Sequence, residues 1–180
     1  MLISEQKKLL RKQIRMKKQS LNPEEKRERS AKIIARIEQS EVFQSARIVM
    51  VYWSLDDEVQ THDFISKWHT KKIILLPVLQ EEKIVIKQFK GIQFLERGKH
   101  FGIQEPLGGE YQNAKSIDLV IVPGVAFDKS GNRLGRGKAF YDHFLKDISA
   151  FKIGICYNIQ LISAVPVDEN DICMDEVFFA

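Results

Sequence analysis

A chain of 180 residues, 44% of them hydrophobic, is long enough for one well-packed domain and needs no second one. Its net charge of +4 is local, since residues 1–29 hold ten Lys and Arg against four Glu, an excess of +6 that leaves −2 for the rest, and contain no aromatic side chain. This argues against a nucleic-acid face, which spreads its cations and interleaves aromatics; two cysteines without CxxC spacing give neither a disulfide framework nor a zinc site, and no apolar run approaches the ~18 residues of a membrane span.

A soluble, cytoplasmic protein in a reducing compartment is expected. The first four residues are too short for the apolar region of a signal peptide, and a Lys-rich segment running into a capped helix disfavours a mitochondrial presequence.

In chain order, Ser4 to Gln19 reads as a helix, with Leu10 and Ile14 apolar four residues apart and Lys7, Arg11, Arg15 and Lys18 on a neighbouring stripe. Asn22-Pro23-Glu24-Glu25 supplies an N-cap, a proline at the first helical position and the glutamate of a capping box. A second helix is expected to about Ser40, with Ala31, Ile34 and either Ile37 or Ile33 turned inward. Arg47 to Trp53 has the β-branched and aromatic content of a core strand, and Ser54-Leu55-Asp56-Asp57-Glu58 is a polar loop at its carboxyl end. A short helix from Thr61 to about Trp68, a buried strand from Lys72 to Leu79 and a half-exposed strand from Ile84 to Phe89 follow. Gly91 to Tyr111 reads as loop with short extended pieces. Asp118 to Val122 and Phe151 to Cys156 are further core strands, with a helix from Ala139 to Ile148 between them. The tail holds the acidic Asp168 to Asp175 and an apolar run from Val177 to Phe179. Strands alternating with helices predict an α/β fold with a mostly parallel sheet covered on both faces, whose ligands sit beyond the carboxyl ends of the strands.

The chemistry concentrates between Val122 and Asp142. An apolar run leads into Gly131, Gly135 and Gly137, the cations Arg133, Arg136 and Lys138, the aromatics Phe140 and Tyr141, and the carboxylate Asp142. Glycine lets backbone N–H groups approach oxygens, and side-chain cations with a helix start add positive potential, so the segment suits a phosphate cradle. Neither standard phosphate loop fits. Five residues separate Gly131 from Gly137 where a Walker loop needs four, Ala139 stands in place of its Ser or Thr, and Phe140 stands where a dinucleotide fingerprint needs a third glycine. Asp128 to Gly131 suits a type I turn, which accounts for Asp128 without a function. Asp142, in the first turn of the next helix, gains roughly 0.3 to 1 kcal/mol from the helix dipole or serves as a magnesium ligand; its change to alanine is expected to spare the fold. One of Phe140 and Tyr141 is expected in the core. Taken alone, Lys7 and Arg11 read as a solvated helix face, and His62, His69, His100 and His143 lack any metal-ligand spacing.

Taken together, Pro123 to Asp142, Tyr52 to Thr61 (YWSLDDEVQT), Phe101 to Pro106 (FGIQEP) and Val165 to Val177 (VPVDENDICMDEV) resemble the 5-formyltetrahydrofolate cyclo-ligase family over essentially the whole chain. The resemblance implies a three-layer α/β/α fold and an ATP- and Mg²⁺-dependent conversion of 5-formyltetrahydrofolate to 5,10-methenyltetrahydrofolate. It places ATP on Lys7, Arg11 and the loop Arg133, Leu134, Gly135, Arg136, Gly137, Lys138, Ala139, Phe140 and Tyr141. Magnesium falls to Asp142 and Asp171, and the folate to Trp53, Glu58 and the overlapping loop residues Arg136 to Phe140. Arg136, Lys138 and Glu58 are the implied catalytic groups. A monomer acting on these two small molecules, without nucleic-acid or membrane partner, is expected.

The chain departs from the family pattern where members commonly carry Gly-Tyr and this sequence has Ala139-Phe140. With a positive φ at 139, alanine costs on the order of 1 kcal/mol, whereas at an ordinary helix start it costs nothing. Phe140 keeps a stacking ring but lacks a hydroxyl worth about 0.5 to 1.5 kcal/mol as one hydrogen bond. Two other readings stand beside the cyclo-ligase: a non-catalytic folate- or nucleotide-binding protein on the same scaffold, and a small nucleic-acid binder using the basic first helix.

Overall fold

The structure, a computed structural model, describes residues 2–98 and 102–180, so His100 and the Phe101 of FGIQEP lie outside the described residues. Helix α1 (Ile3–Lys18) turns one stripe inward: Lys7, Ile14 and Lys18 are buried and Arg11 half-buried, whereas Arg15 of the expected stripe is exposed. Helix α2 (Pro23–Gln39) starts as its sequence dictates, with the Asn22 side chain accepting from the Glu25 N–H at 2.9 Å and Glu25 accepting from the Asn22 N–H at 3.0 Å. Its inward residues are Ser30, Ile33 and Ile37, with Ile34 half-buried, so the expected burial of Ala31 is corrected. At 100° per residue a position two before Ile33 points to the far side.

The short helix α3 (Glu41–Ser45) is capped by Ser40, whose hydroxyl accepts from the Phe43 N–H. The chain then runs through β1 (Ile48–Val51), α4 (His62–Trp68), the hairpin β2 (Ile73–Gln80) and β3 (Lys83–Gln88), β4 (Leu95–Arg97), β5 (Gln104–Pro106), β6 (Leu119–Val122), β7 (Ala126–Asp128), β8 (Arg133–Leu134), α5 (Phe140–Leu145), β9 (Phe151–Cys156), β10 (Leu161–Ile162) and β11 (Glu176–Phe179). The strand expected to reach Trp53 stops at Val51, which releases Tyr52 and Trp53 into the following loop. The helix expected from Ala139 to Ile148 runs only from Phe140 to Leu145.

The main sheet has the order β11-β9-β6-β1-β2-β3 and is parallel except for β3, which pairs antiparallel with β2. A small sheet β10-β7-β8 and the hairpin β4-β5 complete the described strands. Alternation within the strands divides two cores. Val49, Val51, Ile74, Leu76, Leu119 and Ile121 pack with Ile33, Ile37, Phe43 and Phe64 of α2 to α4; Met50, Leu75, Val120 and Val122 pack on the other face with Leu145 of α5, Ile148 and Met174. Both faces are therefore covered, giving three layers, and the period of two explains why each strand reads as a continuous apolar run. No helix of the described residues is long and apolar enough to cross a membrane.

Candidate active site

Two loops leave neighbouring strands at their carboxyl ends, one after β1 and one after β6, and the strands pair in register with Met50 opposite Val120. The first is shaped by its own hydrogen bonds. The Tyr52 hydroxyl donates to the Val59 carbonyl at 2.9 Å, the Thr61 hydroxyl to the Tyr52 carbonyl at 2.7 Å, and the Leu55 N–H to Glu58 Oε2 at 3.0 Å. From below, the buried Tyr157 donates to the Glu58 carbonyl at 2.8 Å. Glu58 is thereby fixed at the loop's tip, and Trp53 is stacked on His62 with ring centres 4.2 Å apart. Burial lowers the His62 pKa.

The second loop folds on a tight turn. The Gly131 N–H donates to the Asp128 carbonyl at 3.1 Å, and the Asp128 carboxylate accepts from the N–H groups of Ser130, Asn132 and Val165. Asp128 is structural, as its sequence context indicates. Gly131 has φ +86°, and a Cβ there would stand 2.2 Å from the Met174 carbonyl oxygen, so no larger residue fits.

Past the turn, β8 buries Arg133. Its Nη2 donates to Asp142 Oδ1 at 2.7 Å, with both side chains nearly inaccessible, and its Nε–H is buried without a hydrogen-bond partner. Arg133 also lines a cavity between the two loops, so its charge lies beside that space. Asp142 also accepts the Ile172 N–H on Oδ1, at 3.2 Å. This ion pair speaks against the expectation that loss of Asp142 spares the fold, because alanine would leave a buried guanidinium unpaired.

The two loops meet through Arg136, whose Nη2 lies 2.8 Å from both Asp57 Oδ1 and Glu58 Oε1. Burial opposes the Arg136 charge, but Glu58 and Asp57 outweigh it and raise its pKa. Between the loops lies a cavity of about 200 Å³. Tyr52, Trp53, Phe140 and Tyr141 contribute aromatic surface, and Glu58, Arg133, Arg136, Lys138 and Asp142 contribute charge. Sequence reasoning missed the opposite wall, made by Pro77, Leu79 and Ile84 of the β2–β3 hairpin together with Ile103. Pro77, Leu79 and Ile84 read equally well as core, whereas Ile103 falls within the FGIQEP segment that carries the resemblance.

Ala139 is the N-cap of α5 and sits in the left-handed region at φ 55°, ψ 14°, so the costly branch of the sequence-based alternative is the one observed. Phe140 and Tyr141 are both half-buried cavity residues, and Tyr141 also packs on the second core. The Leu134 side chain packs with Ile14 and Val165, which leaves only its backbone for a ligand.

Lys7, Arg11 and Asp171 do not line the cavity. They gather beside the loop: Arg11 Nε donates to the Gly135 carbonyl at 2.8 Å, and its guanidinium lies against Gly137, which has φ +103°. Lys7 Nζ lies 2.6 Å from Asp168 and 2.5 Å from Asp171. Burial lowers the Arg11 pKa; for Lys7 burial acts the same way, but the hydrogen bonds to Asp168 and Asp171 outweigh it and raise the pKa. A solvated face is thus the wrong description of either residue.

The donor set fits magnesium carried by phosphate. Such ions take one or two carboxylates plus phosphate oxygens and water. Among the described residues, Asp142 accepts its hydrogen bonds on Oδ1 and Asp171 on Oδ2, which leaves one oxygen of each for a metal. The Ile172 N–H bond to Asp142 brings the residue next to Asp171 against that carboxylate. Among the described residues no cluster of three or more His, Cys, Asp or Glu forms an all-protein metal cage. Cys156 is no nucleophile, since burial pushes its thiol pKa up to about 12.

The sequence profile described as the 5-formyltetrahydrofolate cyclo-ligase family matches residues 3–180. The mouse (Mus musculus) 5-formyltetrahydrofolate cyclo-ligase is 27% identical over 186 residues, covering 94% of this chain and 91% of its own. The Escherichia coli K12 protein of the same name is 28% identical, covering 91% of this chain and 94% of its own. Among solved structures, the Aquifex aeolicus 5,10-methenyltetrahydrofolate synthetase superposes with a TM-score of 0.87 at 34% identity, covering 99% of this chain and 90% of that one.

Proposed function

The chain belongs to the 5-formyltetrahydrofolate cyclo-ligase family, and on that premise we propose that it converts 5-formyltetrahydrofolate and ATP to 5,10-methenyltetrahydrofolate, ADP and phosphate. The observation that carries the ATP-dependent reading is Arg133. Its guanidinium, held by Asp142, brings a third cation to the lining of a cavity that Arg136 and Lys138 also line, a concentration of positive charge suited to a polyphosphate.

The formyl group is amide-like, and its oxygen is a poor leaving group. Transfer of the γ-phosphoryl group to that oxygen breaks the bond to ADP and forms a carbon-bound phosphate ester. The neighbouring anilino nitrogen then adds to the carbon and loses its proton. Departure of phosphate with the C–O bond leaves the methenyl bridge. Phosphoryl transfer asks mainly for positioning and charge stabilisation, and the site offers no protein nucleophile and needs none.

In this reading Arg133, Arg136 and Lys138 stabilise the charge on the transferring phosphoryl oxygens, while Lys7 and Arg11 approach the nucleotide from α1. Glu58 accepts N–H donors of the pterin, and Trp53 offers it an aromatic face. Pro77, Leu79 and Ile84 exclude water, which strengthens every charge interaction across the cavity. Asp142 and Asp171 would hold Mg²⁺, which supplies charge neutralisation on the phosphates. The enzyme would work as a monomer in the cytoplasm.

The test is to mix purified protein with 5-formyltetrahydrofolate and MgATP and follow methenyl absorbance together with phosphate release. Product that depends on ATP is expected. Tight folate binding with no ATP-dependent product would leave a non-catalytic binder.

A further inference from the structure

The acidic loop and the glycine-rich loop are joined by a chain of charges that extends beyond the cavity. Lys18, the last residue of α1, is buried, and its Nζ lies 2.7 Å from Oδ2 of Asp57. The other oxygen of Asp57 accepts from Arg136 Nη2 at 2.8 Å. That nitrogen also donates to Glu58 Oε1 at 2.8 Å. Neither Lys18 nor Asp57 lines the cavity.

Glu58 has two demands on it. In the free protein it pairs with Arg136, whereas with folate bound it turns an oxygen to the pterin N–H groups. An arginine side chain that is 48% exposed would then swing into solvent unless a second carboxylate kept it. Asp57 is that carboxylate, accepting from the same Arg136 Nη2 that donates to Glu58. Asp57 is itself 48% exposed on a loop, and a lone carboxylate there would sample several rotamers. Lys18 removes that freedom from the opposite oxygen.

The lysine is well placed to do so. Its helix is seated by Ile14, which is buried against Ala126, Leu134 and Val165, and by the bond from Arg11 to the Gly135 carbonyl. Burial lowers the Lys18 pKa while Asp57 opposes the shift. For Asp57 burial would raise the pKa, yet the hydrogen bonds from Lys18 and Arg136 outweigh it and hold the carboxyl below its usual value.

We propose that Lys18 and Asp57 form a positioning pair that keeps Arg136 over the cavity while Glu58 is engaged by the folate. The proposal rests on the function proposed above. It assigns the pair no contact with substrate.

The experiment uses the full chain with Lys18→Met, Asp57→Asn and the conservative Lys18→Arg. Misplacing a transition-state group by about 1 Å costs on the order of 10- to 100-fold, so kcat should fall by that range in Lys18→Met and Asp57→Asn, with folate KM within about threefold of wild type. Lys18→Arg should recover most of kcat, and melting curves should show all three variants folded. Wild-type kcat in both disruptive variants would overturn the pairing, as would a loss of kcat matched by the loss of folded protein. Should wild type make no product at all, the proposed function fails, and calorimetric ADP binding judges the pair instead. Affinity weakened by Lys18→Met and Asp57→Asn and restored by Lys18→Arg supports it; equal affinities sink it.

Discussion

Lys7 is bonded at 2.5 Å to Asp171, a residue 164 positions later in the chain. The same ammonium holds Asp168, so one lysine of α1 fixes the turn that precedes the edge strand β11.

Removing that cation should be felt in both stability and ligand binding. Lys7→Met leaves Asp171 partly buried without its partner, at a cost of about 1 to 3 kcal/mol, while the more solvated Asp168 adds little. Urea unfolding should show a lower midpoint with an unchanged slope. ADP affinity, measured by calorimetry, should fall as well. Unaltered affinity would remove Lys7 from the nucleotide site.

Asp142 needs two substitutions to separate its roles. Asp142→Ala strands the buried Arg133 charge and should cost about 3 to 5 kcal/mol, enough to compromise folding. Asp142→Asn keeps an oxygen for the Arg133 hydrogen bond but no longer offers a charged metal ligand. The neutral amide does not compensate the Arg133 charge, so the asparagine variant should be less stable than wild type and more stable than Asp142→Ala. Its turnover should be strongly reduced, and Mn²⁺ binding in the presence of ADP, followed by electron paramagnetic resonance, should weaken. Normal Mn²⁺ binding by the variant would exclude Asp142 as a ligand.

Ala139 lies at φ 55°, where a side chain costs about 1 to 2 kcal/mol. Ala139→Gly relieves that strain but loosens the unfolded chain, so a net gain of about 0.5 to 1 kcal/mol is expected. Denaturant titration of the two proteins side by side checks it. A less stable glycine variant would mean that the observed backbone is not strained.

Asp128 governs part of the acid response. Its burial would raise the carboxyl pKa, but N–H donors from Val165, Asn132 and Ser130 and the Asn132 amide prevail, so the pKa is lowered in the folded state. Such a group contributes stability above its unfolded value, about 3.9, and that contribution is lost as the pH falls through the lower folded value. Asp128→Asn should be less stable at pH 7 by about 1 to 3 kcal/mol. Its stability should also fall less steeply than that of wild type below pH ~4. Parallel acid limbs, followed by circular dichroism, would refute this.

Much of the fold was legible because it rests on local patterns. Asn22 and Glu25 announce the start of α2 within four residues, and the runs around Val49, Leu75, Val120 and Ile155 mark strands buried on both faces. The short β7, β8 and β10 were not legible, since two or three residues cannot show a period. The loop residues of the site stood out by composition, and the family resemblance brought Trp53, Glu58 and Asp171 to it. The partners of these residues did not stand out. Arg133 with Asp142, Lys18 with Asp57 and the hairpin wall at Pro77 and Ile84 are contacts made by folding across distant stretches. For the same reason the sequence could describe Asp142 as a helix-start carboxylate but not as the counter-ion of a buried arginine.

The stripe of α1 that reaches Asp171, Gly135 and Asp57 also bears on the order in which the molecule is assembled. The β2–β3 hairpin closes over a short turn, while the α1 contacts with Gly135 and Asp171 must wait for loops of 124 and 164 positions, whose closure costs more entropy. Catalytic competence should therefore lag behind the regain of secondary structure after dilution from denaturant. A variant that weakens α1 docking should lengthen that delay even where its final activity is normal.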